Sequence, residues 1–99
     1  MSLDQWSSIY TPQKDIVCRN IAGETILVPI RGNLADMQQI FTLNSVCAFI
    51  WDQLNGKNQL AEILEILLDH FDTNKDQAEK DILEFIEQVE EKGLVSRMI

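Results

Sequence analysis

The sequence is poor in the groups from which catalytic and metal centres are built. It has one histidine and two cysteines among 99 residues. Any Ser/His/Asp or Cys/His arrangement would have to use His70, which is far along the chain from both Cys18 and Cys47. His70 is expected near the end of a helix, where a protonated imidazole meets the helix dipole favourably. Cys18 and Cys47 form no C-x-x-C pair and have too few ligands nearby for a zinc site, so both are expected as buried, reduced thiols. No Gly-rich dinucleotide fingerprint or P-loop is present. No catalytic role, metal or cofactor is therefore expected, and the chain reads as a binding protein rather than an enzyme.

Other shortages narrow the class further. Only two prolines and four glycines accompany a hydrophobic content of 45%, which argues for one folded domain and against disorder. There is no long apolar run and no N-terminal apolar stretch, so neither a membrane span nor a signal peptide is expected, and a cytoplasmic location fits. Basic residues are also scarce, eight against sixteen acidic ones, for a net charge of −8. Residues 1–49 hold four acids and three bases, whereas residues 50–99 hold twelve acids and five bases. The C-terminal half therefore carries −7 of the charge, the wrong sign for neutralising phosphates, and nucleic acid is not an expected partner.

What the chain does contain is an ordered set of patterns. Residues 1–14 lack periodicity, but Trp6, Ile9 and Tyr10 are too apolar for a free tail. This arm, taken as residues 1–15, is expected to pack on its own domain or on a second subunit, and a homodimer is considered. Ile16–Ile21 reads as a strand, Ala22-Gly23 as a tight turn, and Thr25–Ile30 as the return strand. Both strands are apolar nearly throughout, which predicts cover on both faces. Pro29 has no N–H to donate and marks an edge or an end. A loop follows over 31–37, and Gln39–Leu43 reads as a third strand.

Three helices complete the chain. Asn44 is the expected N-cap of the first. This helix runs to about Asn55 with Val46, Cys47, Ile50, Trp51 and Leu54 on its apolar face, and Gly56 is the expected terminating glycine. Asn58 is expected to cap the second, where Leu60, Ile63, Leu64, Leu67, Leu68 and Phe71 follow one helical face. Thr73 and Asp76 resemble a capping box for the third. Its inward face is Ala78, Ile82, Phe85, Ile86 and Val89, and it stops at Gly93 with Leu94 placed for a Schellman contact. The carboxylates Glu62, Glu65, Asp69, Glu84, Glu87, Glu90 and Glu91 fall on outer faces. Asp81 stands beside the apolar face, either as a local polar contact or as part of a groove.

These marks together resemble the PqqD family of peptide-binding proteins, also described as RiPP recognition elements. They are Leu27-Val28-Pro29 in the hairpin, Leu43-Asn44 with Ala48 and Ile50, Leu54-Asn55-Gly56, Asp81-Ile82 with Phe85 and Ile86, and Gly93-Leu94-Val95. The resemblance covers residues 16–96. It departs at Asn55, where an Asp commonly precedes the Gly, and in a longer segment over residues 31–38. It implies an α+β fold like a winged helix-turn-helix, a three-stranded antiparallel sheet packed on three helices. It also implies capture of a precursor (leader) peptide by strand addition and its presentation to a modifying enzyme, with a radical SAM enzyme as partner. Pyrroloquinoline quinone synthesis and another peptide-modifying system both remain open as the pathway.

Strand addition places the peptide along the third strand, Gln39, Ile40, Phe41, Thr42 and Leu43. Ile40 and Thr42 share one face of that strand, Phe41 and Leu43 the other. One pair anchors the strand and the other helps form pockets; alternation alone leaves open which. Lys80, Leu83, Glu84 and Glu87 lie on the expected peptide-facing flank of the third helix, where the acids would favour a peptide with Lys or Arg. Two other readings share this layout: a winged-helix DNA-binding regulator, which the acidic helices oppose, and a structural dimerisation domain that exchanges the N-terminal arm.

Overall fold

A computed structural model describes residues 5–29 and 41–98. The expected loop over 31–37, together with Ile30, Gln39 and Ile40, lies outside the described residues. Within them the order is a short 3-10 turn Gln5–Ser7, then strands β1 (Tyr10–Pro12), β2 (Ile16–Ile21), β3 (Glu24–Pro29) and β4 (Phe41–Leu43). Helices α1 (Ser45–Gln53), α2 (Leu60–His70) and α3 (Lys75–Glu91) follow, and β5 (Val95–Arg97) closes the chain.

The hairpin forms where the β-branched runs predict it. β2 and β3 pair antiparallel with Ile16 opposite Pro29 and Ile21 opposite Glu24. Between them Ala22 and Gly23 both take positive φ, 54° and 83°. This is the mirror-image two-residue turn whose twist matches that of the flanking strands. Pro29 is the last residue of β3, as its missing donor requires. β4 pairs with the other side of β3, setting Leu43 opposite Thr25 and Phe41 opposite Leu27, so the sheet order is β2-β3-β4.

Cover on the hairpin differs from expectation. Leu27 is fully buried, but β2 is exposed from Cys18 to Ile21, and Ile21 is 54% exposed. β2 is an outer strand among the described residues, and its β-branched composition reflects strand propensity rather than burial on two faces. Cys18 is correspondingly an exposed thiol and not a core residue, whereas Cys47 is half-buried.

The helices bury the faces their periodicity predicts. Leu60, Ile63, Leu64 and Leu67 of α2 and Ala78, Ile82, Phe85, Ile86 and Val89 of α3 are buried. They join Ile50, Trp51 and Leu54 from the first helix and Leu27 and Leu43 from the sheet in one cluster. The ends are more specific than the pattern. Asn44 caps α1 as expected, its Oδ1 accepting the Cys47 N–H at 2.8 Å. The helix itself ends at Gln53, with Leu54 as its cap, earlier than Asn55. Gly56, at φ 78°, lies beyond that cap and donates its N–H to the Tyr10 carbonyl instead.

Two cap assignments shift by one residue. Gln59 rather than Asn58 caps α2, and its N–H donates to Glu62 Oε1 at 2.8 Å. Asn58 instead donates its side-chain amide to the Gln53 carbonyl, tying α1 to the following loop. Asn74 rather than Thr73 caps α3, accepting the Gln77 N–H at 2.8 Å. At the far end Gly93 takes φ 73°. Leu94 N–H reaches the Val89 carbonyl at 2.8 Å and Gly93 N–H reaches that of Glu90 at 3.0 Å, the paired bonds of a Schellman stop.

A second sheet has no counterpart in the sequence patterns. β1 pairs antiparallel with β5, Tyr10 opposite Arg97 and Pro12 opposite Val95. The N-terminal arm thus packs on its own chain. Tyr10 is 3% exposed in the core, and the Ser8 carbonyl accepts the Leu60 N–H at 3.0 Å at the start of α2.

Candidate functional site

The feature best suited to holding a ligand is the outer edge of β4. Among the described residues β4 has one strand neighbour, β3, so its other side offers alternate backbone N–H and C=O groups to an incoming strand. The strand is set by its inward pair. Leu43 is buried and Phe41 is half-buried against the core, while Thr42 is exposed. Phe41 and Leu43 are therefore the anchoring pair left open by alternation, and Thr42 is on the outer face.

Phe41 meets α3 through Phe85. Their rings stand edge to face, 6.3 Å between centroids at 69°. Next to this contact a cleft of about 240 Å³ opens where β4 runs into α1. One side is Asn44, Val46 and Cys47, at the start of α1; the other is Asp81, Glu84, Phe85 and Gln88 of α3. The capped N-terminus of α1 follows β4 with no intervening loop, so strand edge and cleft are held in register. Val46, Cys47 and Phe85 make an apolar floor, and Asp81, Glu84, Gln88 and Asn44 a polar rim.

The electrostatics of this cleft are acidic. Asp81 is half-buried and one of its oxygens accepts the Gln77 side-chain amide at 2.8 Å. Burial pushes the Cys47 thiol up, the Asp81 carboxylate adds to that, and the Asn44 hydrogen bond opposes it. Cys47 lends the cleft half-buried sulfur surface. Asp81 makes a local polar contact with Gln77 and also lines this cleft.

The α3 residues expected to face the peptide are divided between two flanks. Glu84 lines the cleft beside β4. Leu83 and Glu87 line a separate groove of about 320 Å³ with Gln5, Tyr10, Ile86 and Glu90, beneath the N-terminal arm; Glu84 borders this one too. Lys80 is exposed and lines neither. The residues that sequence reasoning missed are Val46, Cys47, Phe85 and Gln88. The sequence pattern places Val46, Cys47 and Phe85 on core-facing helix faces and gives no signal for Gln88. Helical phase would have grouped Gln88 with Asp81, Glu84 and Phe85, seven, four and three residues before it.

His70 takes no part. It stacks on Phe49, centroids 4.5 Å apart at 25°, at the C-terminal end of α2. No group of three or more His, Cys, Asp or Glu side chains is placed to hold a metal among the described residues. None of their helices is long and apolar enough to cross a membrane.

Comparison with known proteins bears on this geometry. The profile of the family described as "Coenzyme PQQ synthesis protein D (PqqD)" matches residues 24–95, which include β3 and β4, all three helices and both sides of the cleft but not β2. Comparison with curated protein sequences finds no significant match. Among solved structures the chain is similar to "TbiB1 in Complex with the TbiA(beta) Leader Peptide", at 20% identity and a TM-score of 0.69. The match covers 87% of this chain and 94% of the other. At that identity the likeness establishes a shared fold.

Proposed function

Since this chain belongs to the PqqD family, we propose that it is a non-catalytic peptide-binding protein. It captures the leader of a ribosomal precursor peptide by strand addition along β4 and presents the precursor to a modifying enzyme. The observation that carries this reading is the outer edge of β4, unpaired among the described residues and flanked by an apolar-floored cleft against α3. Main-chain hydrogen bonds along such an edge supply affinity, and side-chain pockets beside it supply selectivity. The similar fold of TbiB1, whose structure was determined with a leader peptide, supports the same use of this scaffold.

In this reading Phe41, Thr42 and Leu43 provide the template strand, with Gln39 and Ile40, which lie outside the described residues, continuing it. Glu84, Asp81 and Phe85 wall the groove. Lys80, Leu83 and Glu87, on or beyond the other flank of α3, are left to meet either a longer peptide or the enzyme. A radical SAM enzyme is the proposed partner and the cytoplasm the proposed site of action. A DNA-regulator role is disfavoured by the eleven acids against three lysines in residues 60–92. The test pairs the full chain with the precursor peptide and the radical SAM enzyme encoded beside its gene. Saturable binding of the precursor, and modification that depends on adding this protein, are expected. No binding to any neighbouring precursor, with the enzyme also present, contradicts the proposal.

A further inference from the structure

We propose that the cleft at the end of β4 selects for an arginine or lysine on the bound peptide. Its alkyl stem would lie over Val46 and Cys47 and its charged head between Asp81 and Glu84. This rests on the strand-addition reading and specifies which side chain the groove reads.

Three observations converge on a cation of that shape. First, the cleft is amphipathic in the same way as these side chains: Val46, Cys47 and Phe85 form an apolar floor, and two carboxylates lie on the rim. Second, the carboxylates stand three residues apart on α3, which places them as neighbours on one helical surface. Among the described residues one hydrogen bond engages this pair, from Gln77 to a single oxygen of Asp81. Third, among the described residues the lining contains no basic residue, and Lys80, the nearest in sequence on α3, is not part of it. Among the described residues, the negative charge at this end of the groove is thus left to a ligand. An apolar side chain would satisfy the floor and leave two carboxylates desolvated at the rim; an acidic one would be repelled.

The location gives the preference a register. The cleft adjoins Leu43 and Asn44, so the cation belongs to the peptide residue that pairs near the C-terminal end of β4, not to any position along the strand. Charge-assisted hydrogen bonds to a partly buried carboxylate are stronger than exposed ion pairs, which sets the expected effect at about tenfold in affinity.

The test is selection from a displayed library of random dodecapeptides against three full-length proteins. These are the wild type, the double variant Asp81→Asn/Glu84→Gln, and a charge-matched control, Glu65→Gln/Asp69→Asn, altered on the outer face of α2. Wild type and control should enrich Arg or Lys at one fixed spacing from an apolar pattern. The Asp81→Asn/Glu84→Gln protein should keep the apolar pattern and lose the basic position. A selected peptide whose basic residue is replaced by Gln should bind the wild type about tenfold more weakly and the double variant unchanged. Enrichment with no basic position, or a basic position that survives in the double variant, overturns the inference while leaving peptide binding intact. A wild type that enriches no sequence overturns peptide binding itself, and the inference with it.

Discussion

At the scale of single residues, two side chains hold positions with measurable consequences. Tyr10 is the only tyrosine, and it is buried where the arm meets α3. Burial raises its pKa above the usual value of about 10; Glu90 adds to this and Arg97 opposes it. The folded state therefore holds the phenolic proton more tightly than the unfolded state. The stabilisation from this linkage is fully present below the unfolded pKa and is lost as pH rises through the folded one. Thermal melts should show the wild type losing stability above about pH 10 more steeply than Tyr10→Phe. Parallel curves for the two proteins would contradict the raised pKa. Ala22 is the other case. At φ 54° it holds a conformation that costs an alanine about 1 kcal/mol, and Asn tolerates it better. Ala22→Asn should stabilise the protein by about 0.5–1 kcal/mol in chemical denaturation, with the fold unchanged.

At the scale of elements, legibility followed the length of the repeating pattern. The hairpin, the three helices and their buried faces were readable because each repeats its period several times. β1 and β5 were not readable. Strands of three residues give no alternation to detect, and their pairing joins the two ends of the chain, a separation no local window spans. Two of the three N-cap assignments, those of α2 and α3, miss by one residue for a different reason. Asn-Gln and Thr-Asn pairs offer two adjacent residues able to fill one position, and the chain's approach angle decides between them. This carries a test. Asn74→Ala should cost about 1 kcal/mol because it removes the acceptor for Gln77 N–H, while Thr73→Ala should cost less than about 0.5 kcal/mol. Urea denaturation distinguishes them, and the reverse ranking would return the cap to Thr73. The site was legible to the same degree. The sequence pattern marks Phe41–Leu43 as a strand, and the family resemblance, not the alternation, assigns its edge to a peptide. The α3 quartet was split because phase on a helix surface shows which residues share a flank, but not what each flank faces.

At the scale of the whole molecule, core and groove are one construction. Phe85 is 1% exposed, belongs to the central cluster, meets Phe41 edge to face and also floors the cleft. Phe85→Ala should therefore cost about 3–5 kcal/mol, read as a lowered denaturation midpoint. A loss below about 1 kcal/mol would mean the ring is not packed as described. The charge is arranged at the same scale. The acids are concentrated on the helical half, so the groove beside β4 is walled on its α3 side by negative charge, while the sheet that templates a strand is nearly neutral. The central claim is that a peptide adds to β4 and lies against α3. Its most direct test is an NMR titration of the labelled full-length chain with the precursor peptide encoded beside its gene. The account predicts amide shifts concentrated on Phe41, Thr42 and Leu43 and on Asp81, Glu84, Phe85 and Gln88, with β2 unaffected. Saturable binding whose shifts fall on β2, or beneath the arm at Leu83 and Glu87 with β4 silent, would contradict it.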